Sequence, residues 1–365
     1  MRSTSVRFLC ASFGGIAVFL SAAVAHARVQ AAPMPPAAAP TPPAAAPTPP
    51  AAAPTPPAAA TDAPPAEKPI RVAVIGASAS AGFGCVFRET RDDGEYAGGF
   101  RLVDMVRLAC PELRLLTSDL SSGFFFMAPV RNGTRAAARA KEFAPDCVIA
   151  LDFLFWYCYG DDAPEGGALK DESQRLAKLE LGLKELESFD VPVLVGDIPD
   201  MSRAVGKMLS RMQVPSEDTL RKANARFAEW AKTRSNVRVV PLAAMQRQLM
   251  EERALDIAGE RLVATKDAPL LQRDELHPAP HGLAGLACAV AEELKSAVAA
   301  APGGCDPDPR ETVERARGEL KPARRVNNGA KAAGDDGAKA PGGDGAKAPG
   351  NNGAKAPGDS GAKAP

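Results

Sequence analysis

Histidine is scarce in this chain, which has three histidines among its 365 residues. His26 falls within residues 1–27, which have the composition of a secretory signal, so histidine chemistry in the remaining chain depends on His277 or His281. Two histidines and scattered carboxylates form no cluster of the metal-ligating type, and the cysteine spacings fit no zinc motif. The sequence therefore disfavours a metal enzyme, and we expect neither a metal nor a cofactor.

The chain also lacks an excess of charge of either sign. Lys plus Arg and Asp plus Glu both number 44, so the formal net charge is zero. The basic residues form no stripe of the kind that contacts a phosphate backbone. We therefore expect no nucleic-acid partner.

Residues 1–27 predict export. They combine a positively charged start, an apolar stretch and a small-x-small cleavage pattern, which together are typical of a cleaved secretory signal. An uncleaved membrane anchor is the alternative, because the apolar stretch approaches the length that spans a bilayer. We expect a periplasmic or extracellular protein.

Large apolar residues are scarce in residues 28–68 and are absent from the Gly-Ala-Lys-Ala repeats near the other end of the chain. Residues 28–68 repeat Ala and Pro, which favours an extended spacer. Residues 303–365 contain five copies of Gly-Ala-Lys-Ala at a period of eight and predict a disordered tail. One globular domain is therefore expected at 69–302. The spacer and the tail would hold it away from a surface, which fits association with the cell envelope.

Six cysteines follow the leader, and an even number in an exported protein permits disulfides. We expect at least one bridge that uses Cys85, Cys110 or Cys158, since these lie at loop or helix ends. Cys147 and Cys288 fall on apolar faces, where buried free thiols are also common.

Apolar strand segments alternate with helix-period segments through the predicted domain. The strand segments are 71–75, 113–117, 147–151, 193–195 and 237–240. The helical segments are 100–110, 136–143, 176–186, 220–230 with Ser216 as the N-cap, and 283–298. This alternation predicts a five-stranded parallel sheet with helices on both faces, in three α/β/α layers. Ligands of such sheets bind beyond the carboxyl ends of the strands.

Two short stretches carry the residue types of nucleophilic catalysis. A turn of small residues follows the first strand and lets the hydroxyl of Ser78 stand clear of bulky neighbours. Far along the chain, Asp274 precedes His277 by three residues on a loop that leads into a helix. Together they supply a nucleophile, a base and a residue that orients the base. Taken singly, Ser78 could serve only the tight turn, Ser80 is an alternative nucleophile, and His281 reads as a capping or exposed residue.

These stretches resemble two motifs of the SGNH or GDSL hydrolases. The family's first block reads Gly-Asp-Ser-x-x-x-Gly, and this chain has Gly76-Ala77-Ser78-Ala79-Ser80-Ala81-Gly82. Its last block reads Asp-x-x-His-Pro, and this chain has Asp274-Glu275-Leu276-His277-Pro278. The resemblance implies a flavodoxin-like fold and ester hydrolysis, with Ser78 as nucleophile, His277 as base and Asp274 as its orienting acid.

The resemblance also implies an oxyanion hole, to which Ser78 and Gly123 would give their backbone N–H groups. The Asp of the first block is Ala77 here, and the asparagine that normally follows the third strand is missing, since the chain reads Leu151-Asp152-Phe153. Loss of one oxyanion donor lowers a rate by about two to three orders of magnitude. Either another donor replaces the asparagine, or the site is weak or has a different task.

Aromatic residues make up only 5% of the chain, yet eight of them follow the second and third strands. They are Phe124, Phe125, Phe126, Phe153, Phe155, Trp156, Tyr157 and Tyr159. One interpretation is a wall for an acyl chain or a sugar face, with Asp152, Phe153 and Trp156 as substrate-binding residues. The other interpretation is that these aromatics pack as core under a loop.

Two function classes follow from these observations. The first is an exported, monomeric serine esterase that acts on a small-molecule or glycan ester, such as acetyl groups on a glycan. The second is a catalytically weak or inactive relative that binds a glycan or a lipid in the same crevice.

Overall fold

The computed structural model of the protein describes residues 68–298, 305 and 307–323. The strands are β1 (Ile70–Val74), β2 (Val86–Arg91), β3 (Gly94–Gly99), β4 (Leu115–Asp119), β5 (Cys147–Ala150), β6 (Val193–Gly196), β7 (Val237–Val240), β8 (Ala254–Ile257), β9 (Glu260–Val263) and β10 (Lys321–Pro322). The helices are α1 (Leu102–Ala109), α2 (Pro129–Phe143), α3 (Phe155–Cys158), α4 (Ser173–Glu187), α5 (Glu217–Lys232), α6 (Leu242–Glu252), α7 (Pro280–Ala297) and α8 (Pro309–Gly318). Within these described ranges no helix is both long and apolar enough to cross a bilayer.

The predicted signal, spacer and Gly-Ala-Lys-Ala repeats lie outside the described residues. The predictions made for those segments therefore stay predictions.

Five parallel strands form the central sheet in the order β4-β1-β5-β6-β7. Val72 of β1 pairs with Thr117 of β4 on one side and with Cys147 of β5 on the other. Counted along the chain, this is strand order two-one-three-four-five, the flavodoxin-like doubly wound order. The predicted three-layer α/β/α fold with a five-stranded parallel sheet is confirmed.

Helices cover both faces of the sheet, because successive side chains of a strand point to opposite faces. Val72 and Val74 of β1 face the layer of α1 and α7. Ala73 and Ile75 face the layer of α2, α4 and α5. All four residues are fully buried, so β1 is the centre of both halves of the core.

Several boundaries differ from those predicted. Helix α2 begins at Pro129 rather than near residue 136, since its first turns carry small and polar residues that hide the apolar period. Pro129 suits this position because its fixed φ matches the first helical residue. Ser216 caps α5 as predicted, and its hydroxyl oxygen accepts the Thr219 N–H at 3.2 Å. The β2–β3 hairpin, α6 and the β8–β9 hairpin were not predicted.

The predicted end of the domain at residue 302 is wrong. Cys305 forms a disulfide with Cys110, which caps the C-terminus of α1. Val313 and Ala316 of α8 are buried against α1 and α7. Strand β10 then pairs antiparallel with β3. A ten-residue helix needs only a narrow apolar face to dock, so the low apolar content of this segment concealed it.

The cysteines are mostly buried thiols. The Cys110–Cys305 bridge confirms the expectation of at least one disulfide. It also confirms that Cys110 forms a disulfide. Cys85 and Cys158, the other two cysteines proposed for bridges, are free and buried. Burial raises the pKa of each of these two thiols to about 12, so both stay protonated at neutral pH.

Candidate active site

Ser78 lies just beyond β1, in a helical turn at the carboxyl edge of the sheet. The Ala81 N–H donates to the Ala77 carbonyl at 2.9 Å, and the Phe83 N–H donates to the Ser78 carbonyl at 2.9 Å. Gly82 ends the turn with a φ of +69°, a left-handed conformation that favours glycine. The turn is therefore fixed by its own backbone, as the run of small residues predicted.

The carboxylate of Asp152, which follows β5, accepts hydrogen bonds from this turn and fixes its position. Oδ1 accepts the Ala77 N–H at 2.8 Å and the Ser80 hydroxyl at 2.6 Å. Oδ2 accepts the N–H groups of Ala79 at 2.9 Å and Ser80 at 3.2 Å. Asp152 is 9% exposed, so these four bonds hold a nearly buried anion. The Ser80 hydroxyl is buried and bonded here, which leaves Ser78 as the serine that faces the crevice.

Gly76 is the residue that lets Asp152 approach so closely. A Cβ at this position would lie 2.3 Å from Asp152 Oδ1 and 2.6 Å from Ser80 Oγ, distances that no real side chain tolerates. A glycine is therefore required at position 76, because any side chain there would clash with the Asp152 carboxylate.

His277 connects the serine to Asp274. Its Nε2 lies 2.9 Å from the Ser78 Oγ, and its Nδ1 lies 2.7 Å from the Asp274 Oδ2. The other oxygen of Asp274 accepts the N–H groups of Leu276 and His277, each at 3.0 Å. Partial burial raises the pKa of Asp274, but these hydrogen bonds outweigh it and lower that pKa below its ordinary value. The structure thus brings together the three residues predicted from the two motifs.

The histidine loop is held against the serine turn by a residue that the sequence did not reveal. The Gln272 side-chain amide donates to the Phe83 carbonyl at 2.6 Å and to the Pro278 carbonyl at 2.9 Å. The Phe83 ring lies 4.5 Å from the imidazole of His277, centroid to centroid. Glutamine has many possible roles, so only the fold identifies this one.

Gly123 lies on the loop beside the serine turn. The Leu120 N–H donates to the Val74 carbonyl at 2.8 Å, and the Ser122 N–H donates to the Gly76 carbonyl at 3.0 Å. These bonds continue the β1–β4 pairing past the strand ends. In the described part of the chain, neither the Ser78 N–H nor the Gly123 N–H meets a hydrogen-bond acceptor.

Asn132 is the nearest asparagine in sequence to this loop, and its amide is already used. It donates to the carbonyl of Phe124 at 3.3 Å and to that of Phe125 at 3.1 Å. Asn132 therefore fixes the loop after β4 to the first turn of α2.

The aromatic cluster is mostly core. Phe153 is fully buried and packs against Phe125 and Tyr157, at centroid distances of 5.6 and 5.4 Å. The Phe153 ring therefore belongs to the core, and Phe153 is not among the residues that line the cavity described below, so the structure gives its predicted substrate contact no support. Trp156 is also buried, and it packs between Phe126 and Phe155.

An apolar cavity opens at Ser78 and His277. Phe155 lines it, in place of the Phe153 and Trp156 predicted from sequence, and so does Asp152, although its oxygens are engaged by the serine turn. Most of the remaining wall consists of Leu and Met side chains. The site therefore joins a hydrogen-bonded serine, histidine and aspartate to an apolar space.

These features define an α/β protein with a Ser-His-Asp hydrogen-bond chain at the carboxyl edge of a parallel sheet. No protein-family model matches the sequence, and no curated protein matches it. The assignment of the site therefore depends on the geometry of this chain.

Solved structures with similar folds include two variants of Axe2 from Geobacillus stearothermophilus and a third enzyme. One variant, named as an acetyl-xylooligosaccharide esterase, is 17% identical over 66% of this chain and 97% of its own, with a TM-score of 0.40. The other, named as an acetyl xylan esterase, is 19% identical over 62% and 94%, with a TM-score of 0.38. A gut microbial diltiazem-metabolizing enzyme is 11% identical over 62% of this chain and 47% of its own, with a TM-score of 0.39.

Proposed function

We propose that this protein is a serine esterase, a divergent relative of the SGNH hydrolases, that hydrolyses a carboxylic ester with Ser78, His277 and Asp274. The observation that carries the proposal is the continuous hydrogen-bond chain from Ser78 Oγ through the imidazole to Asp274 Oδ2, with distances of 2.9 and 2.7 Å. A neutral serine hydroxyl is a weak nucleophile and needs such a base within reach.

The reaction follows from the positions of these atoms. His277 Nε2 takes the hydroxyl proton as Ser78 Oγ bonds to the ester carbonyl carbon. Asp274 Oδ2 accepts a hydrogen bond from the Nδ1–H group, which fixes the tautomer and stabilises the imidazolium without taking its proton. The imidazolium then gives its proton to the departing alcohol. A water molecule, deprotonated by the same imidazole, then attacks the acyl carbon. As the bond to Ser78 Oγ breaks, the imidazolium returns its proton to Oγ, which releases the acid and restores the free enzyme.

The negative oxygen of the tetrahedral intermediate needs donors. The N–H groups of Ser78 and Gly123 are suited to this, since neither meets an acceptor within the described chain. Where the SGNH pattern has an asparagine, this chain has Asp152, whose carboxylate holds the serine turn instead. We therefore propose an oxyanion hole of two backbone donors and a correspondingly modest turnover.

Export to the periplasm or the exterior is part of the proposal, as is a monomer acting on a small-molecule or glycan ester. The signal pattern of residues 1–27 supports export. The Cys110–Cys305 disulfide supports it too, because such bridges persist in oxidising compartments.

A weakly active or inactive binding protein is the second candidate, favoured by the absence of an asparagine after β5. Labelling with a fluorophosphonate probe, followed by mapping of the modified peptide, separates the two. The esterase proposal expects the adduct on Ser78 and no label on the Ser78→Ala variant. A label on another residue contradicts the assignment, and no label with no hydrolysis of any ester supports the binding protein.

A further inference from the structure

We propose that the cavity at Ser78 is an acyl-binding site that selects unbranched acyl chains longer than acetyl, in the range from butyryl to octanoyl. The inference rests on the proposed esterase function and names its substrate class. It also replaces the acetyl ester expected from the sequence.

One wall of the cavity is the inner face of α6. Leu242, Met245 and Leu249 line the cavity and are spaced three and four residues apart, so they share one face of the helix. All three are only half-buried, and no residue of α6 is fully buried. A helix with an apolar face normally buries it against the core. Here that face packs against the core and also borders the cavity, which leaves its side chains only half-buried.

Further lining residues lie on α7 and on the segments that contain Leu255 and Leu270. Leu286 is half-buried although Gly285 and Ala287 beside it are buried, because its side chain borders the cavity. Leu255 and Leu270, which are 4% and 3% exposed, line the same space. Since such buried residues form part of its lining, the cavity extends from the serine into the interior.

The size of the cavity exceeds the needs of an acetyl group. Its volume is about 110 Å³, whereas a cavity for a single water needs only about 10–15 Å³. An acetyl methyl would leave most of this space unfilled, and a longer chain would fill it.

Its lining suits hydrocarbon rather than sugar. The two carboxylates on its wall are already bonded, since Asp152 holds the serine turn and Asp197 Oδ1 accepts the Ala243 N–H at 2.7 Å. Sugar hydroxyls would need partners that the leucine and methionine side chains do not offer.

The acyl part of the ester, not the alcohol, fits the part of the cavity that is lined by buried residues. The alcohol leaves first, with a proton from His277, while the acyl group stays bonded to Ser78 until water arrives. The part that remains attached can occupy this interior space, but the part that departs first needs a path to solvent. Phe83, which is 46% exposed and packs on His277, marks the solvent side of the imidazole.

The test is a series of p-nitrophenyl esters with one leaving group and a lengthening acyl chain, kept below their aggregation concentrations. We expect kcat/KM to rise from acetate to hexanoate or octanoate, by about fourfold for each methylene that becomes buried. Met245→Trp should fill the cavity and lower the octanoate-to-acetate ratio of kcat/KM at least tenfold. Leu249→Phe is a milder second variant, in case the first does not fold. Ala244→Trp, on the exposed side of α6, is the matched control and should leave the ratio unchanged.

The outcomes separate this inference from the function on which it rests. A flat or acetate-preferring profile that still requires Ser78 overturns the acyl-site proposal and leaves the esterase standing. If no ester is hydrolysed, the esterase proposal fails. Titration with octanoate and acetate, followed by NMR, then shows whether the cavity binds an apolar chain. Octanoate binding that Met245→Trp weakens would support an apolar ligand site, and equal or absent binding of the two acids would overturn it.

Discussion

The Asp152 carboxylate accepts the Ser80 hydroxyl at 2.6 Å, two residues from the serine that bonds His277. The same carboxylate accepts three N–H groups of the turn. Because a buried anion with four donors is costly to disturb, this contact fixes where the Ser78 hydroxyl points. Asp152, which stands after β5 where an asparagine was expected, is therefore a positioning residue for the proposed nucleophile Ser78.

Asp152→Asn tests this role. The amide turns one acceptor into a donor that faces backbone N–H groups, so we expect kcat/KM to fall about ten- to a hundredfold and stability to fall by about 1–3 kcal/mol. Ser80→Ala is the control, since Oδ1 keeps the Ala77 N–H. It should retain most activity. Esterase rates and thermal melts of both variants decide the point, and an Asp152→Asn enzyme with wild-type kcat/KM would refute it.

Gly123 offers a test of the oxyanion hole. A Cβ at this position meets no atom within 4 Å, so Gly123→Ala keeps the N–H without a clash. Gly123→Pro removes the N–H, and we expect kcat to drop about a hundred- to a thousandfold. Equal rates for the two variants, with unchanged melting temperatures, would show that Gly123 is not a donor.

The end of the folded domain is tested by truncation. A chain that stops after residue 302 loses α8, β10 and the Cys110–Cys305 bridge, and should lose about 2–5 kcal/mol from the disulfide alone. A chain that stops after residue 323 keeps all three and should melt like the longer protein. Thermal denaturation with and without reductant measures this. The account of the domain end is wrong if both truncated chains melt alike.

The partly buried position of His281 predicts that the free energy of unfolding depends on pH. Its ring packs edge-on against Phe87, at a centroid distance of 5.5 Å. Burial lowers its pKa, the nearby Arg317 lowers it further, and Glu314 opposes both. Below the ordinary histidine pKa of about 6.5, the unfolded chain therefore takes up a proton more readily than the folded one, and stability falls as pH falls.

The His281→Phe variant isolates this term. Its melting temperature should decline less between pH 7 and pH 5 than that of the wild type, because one depressed histidine pKa is gone. Parallel pH-dependent slopes for the two proteins would contradict the assignment to His281.

The parts of the fold that were predictable have strong local signals. Three of the four residues of strand β7 are valines, a β-branched and apolar residue type, and its predicted bounds, 237–240, match the structure. Ser216 was recognisable as a cap because capping is local chemistry. The Ser78 and His277 motifs were recognisable because each carries its chemistry within a few residues.

The parts that were missed depend on distant contacts. Asp152 reaches a turn more than seventy residues away, so nothing in its own neighbourhood reveals that role. Helix α8 docks through few apolar residues and a disulfide whose halves are 195 residues apart. Phe153 and Phe155 are alike in sequence, and only the fold decides that one is core and the other lines the cavity.

The most direct test of the esterase proposal is the hydrolysis of a p-nitrophenyl ester by Ser78→Ala, His277→Ala and the double variant. Residues that act as one unit are non-additive, so each single variant should abolish activity and the double variant should be no worse. Asp274→Asn should keep a small residual rate. Measurable hydrolysis that survives Ser78→Ala, or losses that add in the double variant, would contradict a nucleophile at Ser78 activated by His277.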